Sequence, residues 1–204
     1  MYKKYFPWLS EEQLGKLVRL AALYREWNSK VNLISRKDEE NLEVHHILHS
    51  LAIAGIFEFE PGTKIMDAGT GGGLPGLPLA IVFPEVEFTL VDSIAKKILV
   101  VEEIRKELGL QNVIPVRMRF EEMEGSFDFI TGRAVTGLGE FYRDVRKRVA
   151  GPAKHTFPNG VIYLTGGDLG AELGKLKNHS ILYGIADLFP EPYFETKKVV
   201  YLYE

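Results

Sequence analysis

The chain contains no cysteine, and this absence removes several kinds of chemistry at once. Disulfide bridges, thiolate metal sites and cysteine nucleophiles are all excluded. The sequence also lacks any apolar run near the roughly 20 residues that a membrane-spanning helix needs. Its first residues, MYKKYFPWLSEEQ, carry charges but lack the apolar core of a secretory signal. These absences predict a cytoplasmic protein with no membrane partner.

A strong excess of charge of either sign is also missing. The formal net charge is −3 at pH 7. A value this small neither indicates nor excludes a nucleic-acid partner, because local patches matter more than the total. With 204 residues, of which 46% are hydrophobic and 26% charged, the chain is long enough for one well-buried α/β domain plus an appendage.

The most informative stretch is KIMDAGTGGGLPGLPL, residues 64–79. A short apolar run, glycines at positions 69, 71, 72 and 73, and then Pro75 predict a strand, a tight turn and a helix. Glycine allows φ > 0 and a close approach of the backbone to a ligand. The helix that follows offers unpaired N–H groups at its first turn. The stretch is therefore typical of a nucleotide-binding turn, with Gly69, Gly71 and Gly73 as candidate contacts.

An acid at the end of the next strand supports this interpretation. Residues 87–91, EFTLV, alternate as a strand does and lead into Asp92, 19 residues after Gly73. A βαβ dinucleotide fold places the carboxylate that binds the ribose hydroxyls at about this distance. The alternative is that Asp92 only caps the following helix.

The first 60 residues predict helices without strands. Ser10 and Gln13 have capping-box spacing at the start of a helix that extends to about Trp27. Asp38 is a candidate cap for a second helix that reaches Ala54. We expect residues 1–60 to form an N-terminal helical lobe and residues 61–204 to form the ligand-binding domain.

From Lys64 onward, predicted strands and helices alternate, which implies a mainly parallel sheet covered on both faces. The predicted strands lie near 64–68, 87–92, 113–117, 127–132 and 161–165. The predicted helices lie near 75–83, 95–108, 137–149 and 168–176. The last 25 residues, Ser180 to Glu204, predict two successive strands, a closing β-hairpin that differs from the plain nicotinamide-binding fold and is typical of methyltransferases.

Asp67, Phe120, Glu121 and Arg133 complete the candidate site. Asp67 precedes the glycines, where enzymes that use S-adenosyl-L-methionine (AdoMet) place an acid that serves the methionine end and holds the loop; bonding loop amides without a ligand is the alternative. Phe120 and Glu121 follow the third strand, where a ring can stack on adenine and polar groups can meet its amino edge. Arg133 ends the fourth strand and can pair with a carboxylate or a phosphate, unless it forms a surface salt bridge.

Three histidines, His45, His46 and His49, raise the question of a metal site. His45 and His49 share a helical face with a spacing that zinc sites use. No neighbouring acid or cysteine completes a ligand set, so we expect no metal. Histidines that line a cleft beside the substrate are the better interpretation.

Basic residues concentrate in two places, and each is a candidate RNA contact or a solvated helix face. One group lies in the predicted helix at 137–149 and the loop after it, and the other flanks the connector after the first long helix, near aromatic rings that can stack on an unpaired base. The two groups are Arg143, Arg146, Lys147, Arg148 and Lys154, and Arg25, Lys30, Arg36 and Lys37.

Nearly the whole chain resembles the glucose-inhibited division protein B family, the ribosomal small-subunit RNA methyltransferase G proteins. The run D-x-G-T-G-x-G-x-P-G-x-P is far more specific than a generic glycine loop. The residues that carry the resemblance are Trp27-Asn28, Val31 to Ser35, His46 to Ser50, Asp67 to Ala80, Leu90 to Ser93, Lys96-Lys97 and Arg133-Ala134.

This resemblance implies a class I AdoMet-dependent methyltransferase fold, with a Rossmann-like sheet and a closing hairpin. It implies methyl transfer from AdoMet to N7 of a guanosine in 16S ribosomal RNA, with that RNA or the small ribosomal subunit as partner of a monomer. Cofactor contacts carried over by the resemblance are Gly69, Leu74, the Phe120-Glu121 backbone and Arg133, which is also the candidate catalytic residue. Two positions depart from the family pattern, since His49 stands where aspartate is common and Thr165 where lysine is common.

The residues by themselves leave other functions open. These are an AdoMet-dependent methyltransferase for a small molecule or a protein, a nicotinamide oxidoreductase, and a module that binds AdoMet or RNA without catalysis.

Overall fold

The computed structural model describes residues 1–167, 169–174, 176 and 179–203, apart from the side chains of Arg36 and Ala171. The strands are β1 (Lys64–Ala68), β2 (Glu87–Asp92), β3 (Val113–Arg117), β4 (Phe129–Arg133), β5 (Gly160–Gly166), β6 (His179–Gly184) and β7 (Lys197–Tyr203). The α-helices are α1 (Tyr2–Tyr5), α2 (Glu11–Asn28), α3 (His49–Leu51), α4 (Gly76–Val82), α5 (Ala95–Glu107), α6 (Leu138–Val145) and α7 (Gly170–Leu173). None of the described helices is long and apolar enough to cross a bilayer.

One sheet joins these strands in the order β3-β2-β1-β4-β5-β7-β6. The first five strands of this order pair in parallel, while β7 runs antiparallel to both β5 and β6. The predicted mainly parallel sheet with a closing hairpin is confirmed. Glu204, the last residue of the predicted hairpin, lies outside the described residues.

The strand order reverses direction at β1, which pairs with β2 on one side and β4 on the other. In a parallel sheet, such a reversal opens a crevice beyond the carboxyl ends of the strands. The sequence places Asp67, Asp92 and Arg133 at or near these ends, so the topology brings three distant segments together.

Helix α2 shows why the N-terminal segment packs where it does. Its capping box is confirmed, because Ser10 Oγ accepts from the Gln13 backbone N–H while the Gln13 side chain accepts from the Ser10 N–H. Leu17, Leu20 and Tyr24 point away from solvent and are at most 1% exposed. They pack into the same apolar core as Leu79 and Phe88 of the α/β region. The predicted boundary between residues 60 and 61 stays a prediction, and the core is continuous across it.

The segment after α2 differs from the predicted α-helix at 38–54. A 3₁₀-helix, Arg36–Asn41, leads into a π-helix, Leu42–Leu48, before one turn of α3. The prediction that Asp38 caps this helix is wrong. Its carboxylate lies inside the 3₁₀-helix and instead binds the rings of His45 and His46.

The remaining predicted helices are shorter than expected. The segment predicted as a helix at 137–149 divides into α6 and a 3₁₀ turn, Arg146–Arg148. Helix α7 is the described part of the helix predicted at 168–176, of which Asp168 and Lys175 lie outside the described residues.

Candidate functional site

A cavity of about 370 Å³ lies beyond the carboxyl ends of β1, β2 and β4. Both acidic and basic side chains line it, which suits a ligand with charged and hydroxyl groups. The predicted site residues in its wall are Gly69, Gly71, Leu74, Asp92, Phe120, Glu121 and Arg133. Asp67 and Gly73 lie behind this wall rather than in it.

The glycine loop between β1 and α4 has a backbone that only glycine adopts easily. Gly69, Gly71 and Gly73 have φ values of +70°, +60° and +100°. A Cβ on Gly69 would lie 2.8 Å from the Val135 side chain, while one on Gly71 would meet nothing within 4 Å. Gly71 therefore presents an open backbone surface to the cavity, as predicted. The hydroxyl of Tyr24 donates to the carbonyl of Gly72 and ties the loop to α2.

Asp67 holds this loop from inside the protein. It is fully buried, and its Oδ2 accepts from the Thr70 hydroxyl at 2.5 Å and from the Gly76 N–H at 2.9 Å. Oδ1 accepts from the Thr131 hydroxyl at 3.1 Å. Burial raises the pKa of Asp67 to about 6, although these hydrogen bonds oppose the shift. The geometry agrees with the predicted loop-holding role, and a direct ligand contact of Asp67 stays a prediction.

Asp92 connects the loop to the second strand and also faces the cavity. Its Oδ2 accepts from the Gly71 N–H at 2.9 Å and its Oδ1 accepts from the Ile94 N–H at 2.8 Å. The second contact lies before α5, whose N-cap is Ile94 and which receives no side-chain cap hydrogen bond from the described residues. The helix-capping alternative is therefore wrong, and contact of Asp92 with a ribose stays a prediction. Each carboxylate oxygen keeps a lone pair for a further donor.

Phe120 and Glu121 lie in a 3₁₀ turn, Phe120–Glu122, that forms the wall opposite the glycine loop. Arg148 fixes this turn from behind, since its guanidinium donates to the carbonyls of Glu121 and Met123 and, at 2.7 Å, to that of Asp144. Sequence reasoning placed Arg148 among possible RNA contacts. In the structure its donors are used internally.

Arg133 is the last residue of β4 and enters the cavity from the side of α2. Its guanidinium forms no hydrogen bond or ion pair with any residue that the structure describes, so the surface salt bridge proposed as an alternative is absent there. Burial lowers the pKa of Arg133, but arginine stays charged because its ordinary value lies far above neutrality. Five N–H donors on a partly buried cation are thus available to an anionic group.

Several cavity residues were not predicted as site residues. Seven of them lie within two positions of a predicted residue, which is the signal that could have found them: Thr70, Gly72, Ser93, Ile94, Arg119, Ala134 and Val135. Lys97 lies five positions after Asp92, on α5. Ala134 has a left-handed φ of +50°, a strained value for a residue with a side chain.

Leu33 carries no such signal in the sequence. The buried side chain of Asn28 accepts from the N–H groups of Leu33 and Ile34, at 2.9 and 3.0 Å, and this holds the connector against the glycine loop. Leu33 then approaches Gly72, where an added Cβ would lie 3.2 Å from it.

The three histidines lie close together around Asp38 and Tyr193, and the charge of Arg133 acts on His46 and His49. His45 Nδ1 and His46 Nε2 lie 2.5 and 2.8 Å from the two oxygens of Asp38. His45 stacks on the ring of Tyr193 with centroids 3.7 Å apart, and His49 meets the edge of the same ring. Among the residues that the structure describes, no three acidic, histidine or cysteine side chains are placed to hold a metal ion.

The basic groups predicted as RNA contacts have mixed environments. Arg25 pairs with Glu43 at 3.0 Å, Lys30 lies over the Trp27 ring, and Lys154 lies 3.6 Å from Asp128. Arg143 and Lys147 are exposed on α6 and the turn after it.

Comparison with known proteins gives a family match over most of the chain. The GidB family model, described as rRNA small subunit methyltransferase G, matches residues 13–155. A protein of Christiangramia forsetii named "Ribosomal RNA small subunit methyltransferase G" is 50% identical over 202 residues, which is 99% of this chain and 95% of that protein. A protein of the same name from Bacteroides thetaiotaomicron is 49% identical over 198 residues, 97% of this chain and 96% of that protein.

Solved structures confirm the predicted fold class at much lower identity. A SAM-dependent methyltransferase from Aquifex aeolicus superposes with a TM-score of 0.58 at 16% identity, over 83% of this chain and 98% of that one. A precorrin-6y C5,15-methyltransferase from Geobacter metallireducens gives 0.56 at 10% identity, over 84% and 92% of the two chains. At such identities the likeness concerns the fold.

Proposed function

The chain belongs to the rRNA small subunit methyltransferase G family, and from this premise we propose that it transfers a methyl group from AdoMet to N7 of a guanosine in 16S ribosomal RNA. One observation carries the proposal beyond the family match. The fold brings Gly69, Gly71, Asp92, Phe120 and Arg133, which are far apart in sequence, into the wall of a single cavity at the reversal of strand order.

The residues present fit AdoMet, which when bound supplies an activated methyl group. The carboxylate of Asp92 suits the ribose diol, and the Phe120 turn suits the adenine. Arg133, with no partner among the described side chains, suits the carboxylate of the methionine end, to which its fork can donate two parallel hydrogen bonds. The open backbone at Gly71 lets the cofactor lie close to the loop. Asp67, Gly73 and Leu74 contribute to the site by shaping the glycine loop and packing around it.

Guanine N7 as the acceptor atom explains why the described residues of the cavity wall include no paired acid and base. This nitrogen has a free lone pair and no proton, so methylation there needs no general base from the protein. The task of the protein is to hold the base and the cofactor in line, and such positioning can supply roughly 7–11 kcal/mol of a barrier. Arg133 acts in this scheme by binding and orienting the cofactor.

The proposed substrate also determines the expected partner and cellular location of the protein. The enzyme acts as a monomer on 16S ribosomal RNA, free or within the small subunit, and therefore works in the cytoplasm. Exposed Arg143, Lys147 and Lys37 are available for phosphate contacts, which make binding weaker as salt rises.

Labelled-methyl transfer from AdoMet tests this function. Deproteinised 16S RNA and 30S particles from cells that lack the modification serve as substrates, followed by nucleoside mass analysis. We expect 7-methylguanosine at one position in at least one substrate. Transfer only to a protein or a small molecule, or binding without turnover, would overturn the proposal.

Replacement of Arg133 tests the site itself. Arg133→Ala removes the charge-assisted hydrogen bonds, and because even one of them is worth about 1.5–3 kcal/mol, the Kd for AdoMet should rise by at least roughly 10- to 100-fold. Isothermal calorimetry measures this change. Arg117→Ala is the matched control, because Arg117 is an exposed strand-end arginine outside the cavity wall. Equal affinities of Arg133→Ala and the wild-type protein would remove Arg133 from the site.

A further inference from the structure

Two buried imidazole nitrogens beside the cofactor cavity have no hydrogen-bond partner among the residues that the structure describes. They are Nδ1 of His46 and Nε2 of His49. A buried polar atom without a partner costs about 1–3 kcal/mol, and native structures retain few of them. Neither atom belongs to the cofactor wall described above.

The surroundings of each ring determine that both free nitrogens are acceptors. A carboxylate can only accept, so Asp38 requires a proton on His46 Nε2 and leaves a lone pair on Nδ1. His49 bonds to the backbone of His45 through its other nitrogen, and this leaves the lone pair on Nε2. The tautomers are thus fixed by the protein rather than left open.

Both rings are neutral near pH 7, as acceptors must be. Burial, together with the charge of Arg133, lowers the pKa of His46 to about 4 and that of His49 to about 3. The two residues lie at the end of the π-helix and in the turn of α3 that follows it. Single π turns inside helices occur often at functional sites.

The pair lies at the same end of the sheet as the cofactor cavity. Arg133 belongs to the cavity wall, and its charge also acts on both rings. Tyr193 joins His49 to the strand ends, since its ring meets that of His49 edge-on with centroids 5.8 Å apart and the ammonium of Lys197 lies 4.7 Å from its centroid. Lys197 in turn pairs with Gly166, the last residue of β5.

We propose that His46 Nδ1 and His49 Nε2 recognise the acceptor base as guanine by accepting hydrogen bonds from its N1–H and 2-amino groups. This inference rests on the proposed function and names the residues that select its substrate. Guanine offers two adjacent donors on its Watson–Crick edge, whereas adenine offers a lone pair at N1 and a carbon-bound hydrogen at C2. The same orientation leaves N7, on the far side of the purine, free to face the cofactor.

Entry of the base needs a local movement. Both nitrogens are shielded from water in this structure, while the His46 side chain keeps 15% of its surface exposed and Tyr193 is half-buried. The ring of Tyr193 turns aside as the base replaces it next to the histidines. Asp38 is a positioning residue here, because it fixes the tautomer of His46 without meeting the base.

An analogue of the target base separates recognition from structural support. Inosine lacks the 2-amino group of guanosine but keeps N1–H and N7. After nucleoside mapping of the target, ligated 16S RNA carries guanosine or inosine at that position, and kcat/KM is measured for each. For the wild-type protein we expect guanosine to be favoured at least tenfold, which is the effect of about 1.4 kcal/mol from one lost hydrogen bond.

The variants His46→Leu and His49→Leu remove one acceptor each. One of them should lower the preference for guanosine to less than about twofold, and both should lower kcat/KM for guanosine while the Kd for AdoMet stays unchanged. His46→Gln and His49→Gln keep an acceptor oxygen and should restore the preference. A substitution that only loosened the fold would lower kcat/KM by the same factor for the guanosine RNA and for the inosine RNA.

The outcomes distinguish this inference from the proposed function. Equal use of guanosine and inosine by the wild-type protein, or an unchanged preference in both leucine variants, overturns the recognition role and leaves methyl transfer intact. Absence of transfer to any guanosine-containing RNA overturns the function and the inference together. If a leucine variant fails to fold, the recognition role is tested by the guanosine-to-inosine ratio of kcat/KM for the wild-type protein and the glutamine variants.

Discussion

At the scale of single residues, Asp67 shows how one buried carboxylate shapes the glycine loop without lining the cofactor cavity itself. Its two oxygens accept from Thr70, Gly76 and Thr131, so it joins the start and end of the glycine turn to β4. A Cβ on Gly76 would lie 2.1 Å from Leu90 and 2.9 Å from Asp67 Oδ2, so the contact also requires glycine there. The acid is thus part of the interior that shapes the cavity.

The raised pKa of Asp67 predicts how the free energy of unfolding depends on pH. The pKa of the Asp67 carboxyl group is 3.8 in the unfolded chain and about 6 in the folded protein. Its contribution to stability is therefore fully present below pH 3.8 and is lost as the pH rises through 6. Asp67→Asn keeps an acceptor for Thr70 and Gly76 but has no charge. From pH 4 to 7 the wild-type protein should lose about 2–3 kcal/mol of unfolding free energy relative to Asp67→Asn. Urea denaturation of both proteins across this range measures the difference, and parallel pH curves would contradict it.

At the scale of elements, the 3₁₀ turn Phe120–Glu122 depends on a residue of another element. Arg148 reaches it from the turn after α6 and donates to the carbonyls of Glu121 and Met123. Its aliphatic stem is partly buried, so this cation serves the shape of the cavity wall. Sequence pattern alone placed it in a basic cluster, since a run of Arg and Lys looks the same whether its members face solvent or the protein.

Removal of this clamp should loosen the cavity wall. Arg148→Met keeps the length of the side chain but loses all three donated hydrogen bonds, so the turn should become mobile and the Kd for AdoMet should rise about tenfold, the effect of roughly one hydrogen bond. Lys147→Met removes an exposed charge from the same short turn and is the matched control. Calorimetry on both variants checks this, and similar AdoMet affinities would mean that the turn holds its shape without Arg148.

At the scale of the whole molecule, the N-terminal segment and the α/β region share one apolar core. Helix α2 packs on α4 and α5, and its buried face contributes Leu17, Leu20 and Tyr24 to the same cluster as the strands. Burial of one such side chain is worth roughly 1.5–3 kcal/mol, and a domain retains only about 5–15 kcal/mol in total. The helix therefore contributes a large share of net stability.

A core mutation in α2 should consequently destabilise the entire molecule. Leu20→Ala should lower the free energy of unfolding by about 2–5 kcal/mol in one transition shared by far-UV and near-UV circular dichroism. Val18→Ala, on the exposed face of the same helix with 63% of its surface accessible, should change it by about 0.5 kcal/mol or less. Separate unfolding of the N-terminal segment before the sheet would show that the two parts are independent.

Local patterns predicted most of the elements because their signals lie within a few residues. Alternation and β-branched residues marked β1 to β5, and glycines with φ > 0 marked the turn at Gly69, Gly71 and Gly73. The predicted α-helix at 38–54 is wrong in its pitch, because the segment forms a 3₁₀-helix and then a π-helix, within which Asp38 contacts His45 and His46. The spacing of apolar residues in the sequence does not reveal such a change of helical pitch.

The sequence by itself determined the alternation of strands and helices, the glycine turn, and the acid at the end of β2, since these follow from backbone preferences and spacing along one chain. Only the tertiary structure decided that Asp67 lies behind the cavity, that Leu33 enters it and that Arg148 supports its wall. It also decided that His46 and His49 each keep an acceptor nitrogen that no described residue binds. The physical reason is that burial and hydrogen-bond partnership depend on which segments the fold brings together, and residues distant in sequence give no local sign of that meeting.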